Sequence, residues 1–206
     1  MKRYYSLFTV LYLVMILASF ILPFFTAPKY TILENTLSEL GAQNTPYNWV
    51  MNIIFMALSC ITIITGYQRL KGFYLQIILL FVFAISFFLT SVYQHAPINR
   101  ALAFNSYENE LHSMFSTLTG ISFCVYSVTI SFIAQKRNHK ILAILIGIIA
   151  LVLSYSMFIH SDYRGIYQRV IFILAFGWLL YSFEFYTFMM TKKSILKLLK
   201  KYYNER

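Results

Sequence analysis

Six long apolar intervals constrain the fold of this chain more than any other feature of its sequence. A helix needs about 20 predominantly apolar residues to cross roughly 30 Å of bilayer hydrocarbon. The intervals that meet this requirement are approximately Leu7–Phe25, Trp49–Tyr67, Tyr74–Tyr93, Leu111–Ala134, Ile141–Ile159 and Ile166–Met189. The sequence therefore predicts an all-α fold, a polytopic integral membrane bundle of six transmembrane helices that forms one domain over residues 1–206. Such a protein is expected to be a multi-pass protein of the cell membrane.

The composition excludes a soluble globular protein. Charged residues make up 12% of the chain, against about 25% in a typical soluble domain. Cys60 and Cys124 both fall inside predicted spans, where two separated thiols build neither a disulfide framework nor a zinc knuckle. We therefore expect both cysteines to be apolar packing residues.

The distribution of Lys and Arg predicts the orientation in the membrane, because short loops rich in these residues stay in the cytoplasm. With the N terminus inside, most basic residues fall on the inner side, and Lys29, Arg100, Arg164 and Arg169 fall on the outer side. Both termini are therefore predicted to be cytoplasmic. The net charge of +10 then reflects topology and attraction to anionic lipid. Basic residues are not interleaved as in a nucleic-acid groove, so no nucleic acid partner is expected.

Residues 191–206 form a basic amphipathic pattern that predicts a tail on the cytoplasmic membrane surface. Ile195, Leu196 and Leu199 share one helical face, and lysines fill the other. A helix of this kind lies in the membrane interface and attracts anionic lipid. Alternatively, the basic residues of this segment serve only to set the membrane topology of the protein.

Polar residues collect on the predicted outer face, around the outer loop 29–49. This loop combines carboxylates, amides and Pro46, a composition suited to a folded polar loop rather than a spacer. The outer face also holds most of the carboxylates and histidines of the chain, namely Glu34, Glu39, Glu108, Glu110, Asp162, His95, His112 and His160. The candidate functional site is therefore expected on this face.

The ligand-binding candidates are Glu39, Asn48 and Arg169. A charge inside the membrane costs about 3 kcal/mol unless it is paired or reaches the interface. Arg169 lies one turn below the outer end of the last span, so it is expected to have an acidic partner. Glu39, Glu108 and Asp162 are candidates for that partner, and we predict that Glu39 and Arg169 interact.

Three histidines are candidates for a metal site, because His95, His112 and His160 stand at the outer ends of three successive spans. Together with Glu108 or Asp162 they would suit zinc, with an open position for water. The corresponding catalytic candidates are Glu108, His112 and Asp162. Histidines at this depth also occur as amphipathic interface residues, so a structural role is the alternative.

One face of the fourth span is expected to point into the bundle. His112, Ser116 and Thr119 recur on that face at helical spacing. Small and hydroxyl-bearing residues let membrane helices approach closely and hydrogen-bond, so packing is the simplest explanation of the deeper Ser and Thr residues.

Short motifs in the outer loop and at the start of the last span resemble a known family. They are Ser38–Gly41, Asn44–Pro46 and Trp49–Asn52 within Asn35–Asn52, Leu111-His112, and Gly165–Arg169. Together they resemble the bacterial and archaeal six-helix membrane family called domain of unknown function 998. This resemblance implies a six-helix membrane fold and carries no activity. A fainter likeness links the first outer loop to the Frag1 and DRAM group, with Glu39 in place of an Asp.

Three functions remain open. The first is an integral membrane protein whose outer polar cluster binds a lipid headgroup, a small polar ligand or a protein partner of unknown identity. The second is a metal-dependent or acid-base hydrolase or acyltransferase that acts on outer-leaflet lipid. The third is a small secondary transporter, which is disfavoured because the sequence shows no obvious inverted repeat.

Overall fold

The protein is an all-helical bundle. The computed structural model describes the backbone of residues 2–99 and 101–204 and the side chains of residues 4–99 and 101–186. Within these ranges the structure contains helices and connecting loops but no strand. The helices are α1 (Lys2–Ile21), α2 (Leu37–Leu40), α3 (Asn48–Arg69), α4 (Tyr74–Val92), α5 (Ser106–Ile133), α6 (Arg137–Ile159) and α7 (Arg164–Asn204). Short 3-10 turns cover Leu22–Phe25 and Ser161–Tyr163.

Six helices of the described chain are long and apolar enough to cross a membrane: α1, α3, α4, α5, α6 and α7. The predicted fold class is therefore confirmed at this level. Most span ends lie within a few residues of the sequence prediction. The largest difference is in α7, whose backbone stays helical to Asn204 instead of ending at Met189. Helix α5 begins at Ser106 rather than Leu111. Asn105 caps this helix, since its side chain accepts a hydrogen bond from the Glu108 amide at 3.3 Å, and the added turns project beyond the apolar interval.

Aromatic rings fill the centre of the bundle. Consecutive spans pack side by side, and α7 returns to contact α1 and α3 as well as α6. Phe55 of α3 lies 4.7 Å from Phe87 of α4 and 5.3 Å from Phe172 of α7, measured between ring centroids. Phe176 of α7 lies 5.4 Å from Phe87. Each such pair contributes about 0.5–1.5 kcal/mol beyond area burial, so these contacts position α7 against α3 and α4.

Small residues bring α5 and α6 close together. A Cβ atom on Gly147 would lie 3.0 Å from the Val128 side chain and 3.3 Å from the Cys124 carbonyl. Nearby, the Ser127 hydroxyl donates to the Ala143 carbonyl at 2.8 Å. Close approach of this kind favours helix association in membranes.

The two cysteines differ in their surroundings. Both are free; Cys60 is exposed on the outside of the bundle, and Cys124 is half-buried. Only Cys124 therefore fits the expected packing role.

The tail is described only in part. The backbone of α7 stays helical to Asn204. The amphipathic pattern predicted for residues 191–206 lies outside the described side chains.

Candidate functional site

Two loops at one end of the bundle form a connected polar layer, which we call the lid. It consists of residues 26–47 and, apart from Arg100, residues 93–105. Gln43 joins the two loops: its Nε2 donates to the carbonyls of Gln94 and Asn105 at 3.1 and 3.0 Å, and its Oε1 accepts from the Asn105 amide at 2.7 Å. The Gln43 amide also donates to the His95 carbonyl at 2.9 Å. Because these bonds cross from one loop to the other, the lid is a single layer.

Asn48 extends the same network. Its Nδ2 donates to the Ala42 carbonyl at 3.0 Å and to the Gln94 side chain at 3.2 Å. This ligand-binding candidate therefore uses its amide to fasten the lid to the first turn of α3.

Glu39 is held inside the lid by a capping box. Its carboxylate accepts from the Thr36 amide at 2.6 Å, while the Thr36 hydroxyl accepts from the Glu39 amide at 3.3 Å. These two reciprocal hydrogen bonds cap the N terminus of the short helix α2. Thr36 and Glu39 stand in the order of a sequence-level capping signature, which explains why this segment turns there.

The ion pair of Glu39 is formed with Arg164. The Arg164 Nη2 lies 2.9 Å from Oε1 of Glu39, whose side chain is only 3% exposed. Arg164 also donates from Nε to the Glu34 carbonyl at 2.8 Å. The prediction that Glu39 pairs with Arg169 is therefore wrong, because Arg164, which begins α7 five residues earlier, pairs with the carboxylate.

Arg169 is buried, with only 2% of it exposed, and no acidic side chain of the described residues forms an ion pair with it. Its guanidinium donates, at 2.8 to 3.2 Å, to the carbonyl oxygens of Ser19, Ile32, Asn35 and Gly165 and to the Tyr30 hydroxyl. Ser19 lies in the last turn of α1, where helix carbonyls lack intrahelical partners and the helix dipole favours a cation. Backbone oxygens thus replace the expected carboxylate.

Tyr30 supports this arrangement from within the loop. Its hydroxyl accepts from Arg169 and lies 3.0 and 2.8 Å from the carbonyl oxygens of Asn35 and Thr36. Burial raises the pKa of Tyr30 to about 12, although the positive charge of Arg169 acts in the opposite direction. The hydroxyl therefore keeps its proton at neutral pH and can donate it to the loop carbonyls.

Gly165 permits the loop to lie directly on α7. A Cβ atom at this position would lie 2.7 Å from the Leu33 carbonyl oxygen and would also clash with the carbonyls of Ile32 and Asn35. The Gly165 amide donates to the Leu33 carbonyl at 2.8 Å. Since all three obstructing atoms belong to the backbone, a side chain here would force the loop away from α7.

Gln168 connects α7 to α2, which lies within the lid. Its Oε1 accepts from the amides of Leu37 and Ser38 at 2.6 and 3.3 Å. Its Nε2 donates to the Ser38 hydroxyl oxygen at 3.3 Å. Ser38 and Gln168 therefore present polar atoms toward the interior of the bundle.

A cavity of about 500 Å³ lies beneath the lid. Ser38 and Gln168 form its roof, and Phe87, Phe172 and Phe176 are among the aromatic side chains of its wall. Helices α3 to α7 all contribute to the lining. The cavity is therefore apolar over most of its surface and polar at the end nearest the lid.

The cavity opens to the side of the bundle between α5 and α6. Its lining includes Ile121 of α5 and Leu151 and Phe158 of α6, which are 58%, 61% and 86% exposed. Deeper in the bundle the two helices close together at Gly147. In a membrane, the opening faces lipid.

Family comparison matches residues 10–182 to the model described as "Protein of unknown function (DUF998)". This chain belongs to the DUF998 family. No curated protein and no solved structure matches it. Recognition of the family from the loop and α7 motifs is thereby confirmed, whereas the likeness to the Frag1 and DRAM group stays a prediction.

The histidines of this DUF998 protein do not assemble the predicted metal centre. His112 is buried, with Nδ1 2.8 and 2.9 Å from the carbonyl oxygens of Thr90 and Tyr93. His95 is its neighbour, with ring centroids 5.3 Å apart, whereas His160 is exposed at the end of α6. In the part of the chain that the structure describes, no three His, Cys, Asp or Glu side chains group closely enough to hold a metal ion. The bond to two carbonyls instead makes His112 a link between α5 and the end of α4.

The catalytic candidates of the DUF998 protein also lie apart in the hydrogen-bond network. Glu108 accepts from the Asn105 side chain at 3.4 Å in the first turn of α5. Asp162 is exposed and accepts from the Ser161 hydroxyl at 3.2 Å. No hydrogen bond within the described residues joins any two of Glu108, His112 and Asp162. The described structure therefore does not join these three residues in one hydrogen-bonded site, and their catalytic roles stay predictions.

None of the described residues that line the cavity of the DUF998 protein was predicted as a site residue; Ser38, Gln168 and Gly120 are three of these missed residues. Ser38 and Gln168 stand in the family motifs, directly before Glu39 and Arg169, and that position was the available signal. Gly120 lines the cavity, and a Cβ atom there would meet nothing within 4 Å. Ser116 and Thr119, expected to face the bundle interior, both line the cavity.

Proposed function

We propose that this protein binds a membrane lipid, with the apolar chain in the cavity and the polar end beneath the lid. The observation that carries the proposal is the cavity itself, which is apolar along its wall, polar at its roof and open sideways between α5 and α6. A lipid can enter such a cavity from the bilayer without crossing water. The Lys and Arg pattern predicts that the lid lies on the outer side of the membrane, so the lipid would come from the outer leaflet.

The size and lining of the cavity support this proposal. Small-molecule sites are typically clefts of about 300–1,000 Å³ that are mostly apolar, with a few placed polar groups. The cavity of about 500 Å³ falls within that range, and its polar groups are concentrated at one end. That separation of apolar and polar surface matches an amphipathic ligand better than a small polar ligand or the polar substrate of a transporter.

The lid has a supporting role in this proposal. Glu39, Asn48 and Arg169 hold the roof in place through bonds within the protein. Ser38 and Gln168 are the side chains that would contact the polar end of the lipid. The polar cluster recognised in the sequence therefore shapes the binding site rather than lining it.

Gly120 offers a direct test of lipid binding. Replacement by Trp should occupy space in the cavity, because Gly120 lines the cavity and nothing lies within 4 Å of a Cβ at this position. Native mass spectrometry of the detergent-purified protein should show about one retained lipid per chain for the parent, as expected of a preformed site. The Gly120→Trp variant should lose that lipid.

Leu118→Trp is the matched control. Leu118 lies on the same helix, is 40% exposed and does not line the cavity, so its substitution should leave the bound lipid in place. Equal lipid content in the two Trp variants, or a parent that retains no lipid at all, contradicts the proposal. Thermal melting of each variant verifies that folding is preserved.

A further inference from the structure

Two serine hydroxyls in the cavity differ from most hydroxyls of the spans in their hydrogen bonding. Thr90, Thr117 and Ser122, for example, donate to carbonyls within the preceding turn of their own helix. Ser116 of α5 and Ser154 of α6 line the cavity, and neither has a hydrogen-bond partner within the described chain. In an apolar environment, a hydroxyl without a partner is unfavourable by roughly 1–3 kcal/mol. These two hydroxyls are therefore available to a ligand.

The roof offers further neutral donors. The Ser38 hydroxyl oxygen accepts from Gln168, and among the described residues its own proton has no acceptor. Gln168 Nε2 makes that bond with one of its two hydrogens and has a second one to donate. Neutral N–H and O–H groups therefore surround the polar end of the cavity.

Positive charge is absent from the described lining of the cavity. The nearby Arg169 directs its donors to backbone carbonyls and Tyr30, and Arg164 is paired with Glu39. A phosphate placed in the cavity would therefore lose its hydration without gaining a cation. Burial of an unpaired charge is strongly unfavourable.

We infer that the bound lipid has an uncharged polar end with hydroxyl or ester oxygens, as in a diacylglycerol, and that Ser116 and Ser154 donate to those oxygens. This inference rests on the proposed lipid-binding function and adds the chemical class of the ligand. Ser154 lies five residues before Ile159, which ends α6, or about 7.5 Å along the helix axis. That depth is close to the boundary between headgroups and hydrocarbon, where glycerol esters lie.

The test compares two probes that differ by one phosphate. Delipidated full-length protein in detergent is titrated with diacylglycerol and with phosphatidic acid of identical acyl chains, and bound lipid is measured by native mass spectrometry. Diacylglycerol should bind at least about tenfold more tightly, because the phosphate would be buried without a counter-charge. Ser116→Ala and Ser154→Ala should each weaken diacylglycerol binding about fivefold, the effect of one hydrogen bond.

Ser113→Ala is the control, since Ser113 lies on α5 outside the cavity and its hydroxyl donates to the Asn109 carbonyl. It should leave binding unchanged. Equal or tighter binding of phosphatidic acid that Gly120→Trp abolishes overturns the ligand class and leaves the lipid-binding function standing. Diacylglycerol binding that both serine variants leave intact overturns the assignment of the two hydroxyls. Failure of both probes to bind the parent overturns the inference and the proposed function together.

Discussion

Arg169 illustrates how a membrane protein can bury a cation against backbone oxygens. Hydrogen bonds to a charged group contribute more than neutral ones, about 1.5–3 kcal/mol each. The planar guanidinium presents five N–H donors, which matches the several carbonyls that converge on it. Every residue has a backbone carbonyl, so the acceptors of Arg169 cannot be identified from the sequence. The sequence therefore predicted an acidic side chain as the partner, and this prediction was wrong.

Replacement of Arg169 by Lys should destabilise the protein strongly. An ammonium group keeps the charge but cannot reach the acceptors on α1, the loop and α7 together. We expect a loss of about 3 kcal/mol or more, measured as a lower melting temperature in detergent. Arg164→Lys is the matched control, because the Arg164 side chain is 39% exposed and an exposed pair contributes at most about 1 kcal/mol. Equal losses for the two variants would contradict the assigned role of Arg169.

Gly165→Ala should loosen the lid. The added methyl group would meet three backbone carbonyls that cannot rotate away. Melting temperature should fall, and overpacking of this kind costs about 1–3 kcal/mol. Gly120→Ala supplies the comparison, since the same methyl group there enters open space. A Gly165→Ala variant as stable as Gly120→Ala would show that the loop is free to shift.

At the scale of elements, the spans and a folded polar loop at 29–49 could be predicted from the sequence, but the hydrogen bonds that join the two loops of the lid could not. Hydrophobicity over about 20 residues is a strong local signal, so the apolar intervals matched the helices closely. The lid depends on bonds between distant residues, such as Gln43 with Asn105, whose partners are backbone groups. The cavity is even harder to predict from the sequence, because it arises where α5 and α6 separate above Gly147.

Gln43→Ala should release the two loops of the lid from each other. The substitution removes the side-chain bonds to Gln94 and Asn105. Hydrogen exchange of the Asn105 amide should become at least about tenfold faster, because local opening becomes less costly. Asn44→Ala, which removes a bond to the Ala103 carbonyl, should have a smaller effect at Asn105. Unchanged exchange in Gln43→Ala would mean that other contacts hold the loops together.

At the scale of the whole molecule, the lid and the basic links occupy opposite ends of the bundle. The lid lies at one end, and the α3–α4 and α5–α6 links, which contain Lys71 and Lys136, lie at the other. Assignment of the basic end to the cytoplasm follows from the positive-inside rule and remains a prediction.

Cysteine labelling in sealed cells tests that orientation. After replacement of Cys60 and Cys124 by Ala, a Ser161→Cys variant should react with an impermeant thiol reagent, because Ser161 is exposed at the lid end. A Lys136→Cys variant should react only after the cells are opened, since Lys136 is exposed in a basic link. The reverse pattern would place the lid on the cytoplasmic side of the membrane.

The bonds between the lid and α7 also impose an order of events during synthesis. Arg164, Gln168 and Arg169 contact loop residues that precede them by 125 to 139 positions in the chain. Until those residues emerge from the ribosome, the carbonyls of Ile32 and Asn35 lack their partners on α7. The lid is therefore among the last parts of the molecule to gain its native hydrogen bonds. A nascent chain with five inserted spans still lacks the wall and roof residues that α7 contributes to the cavity.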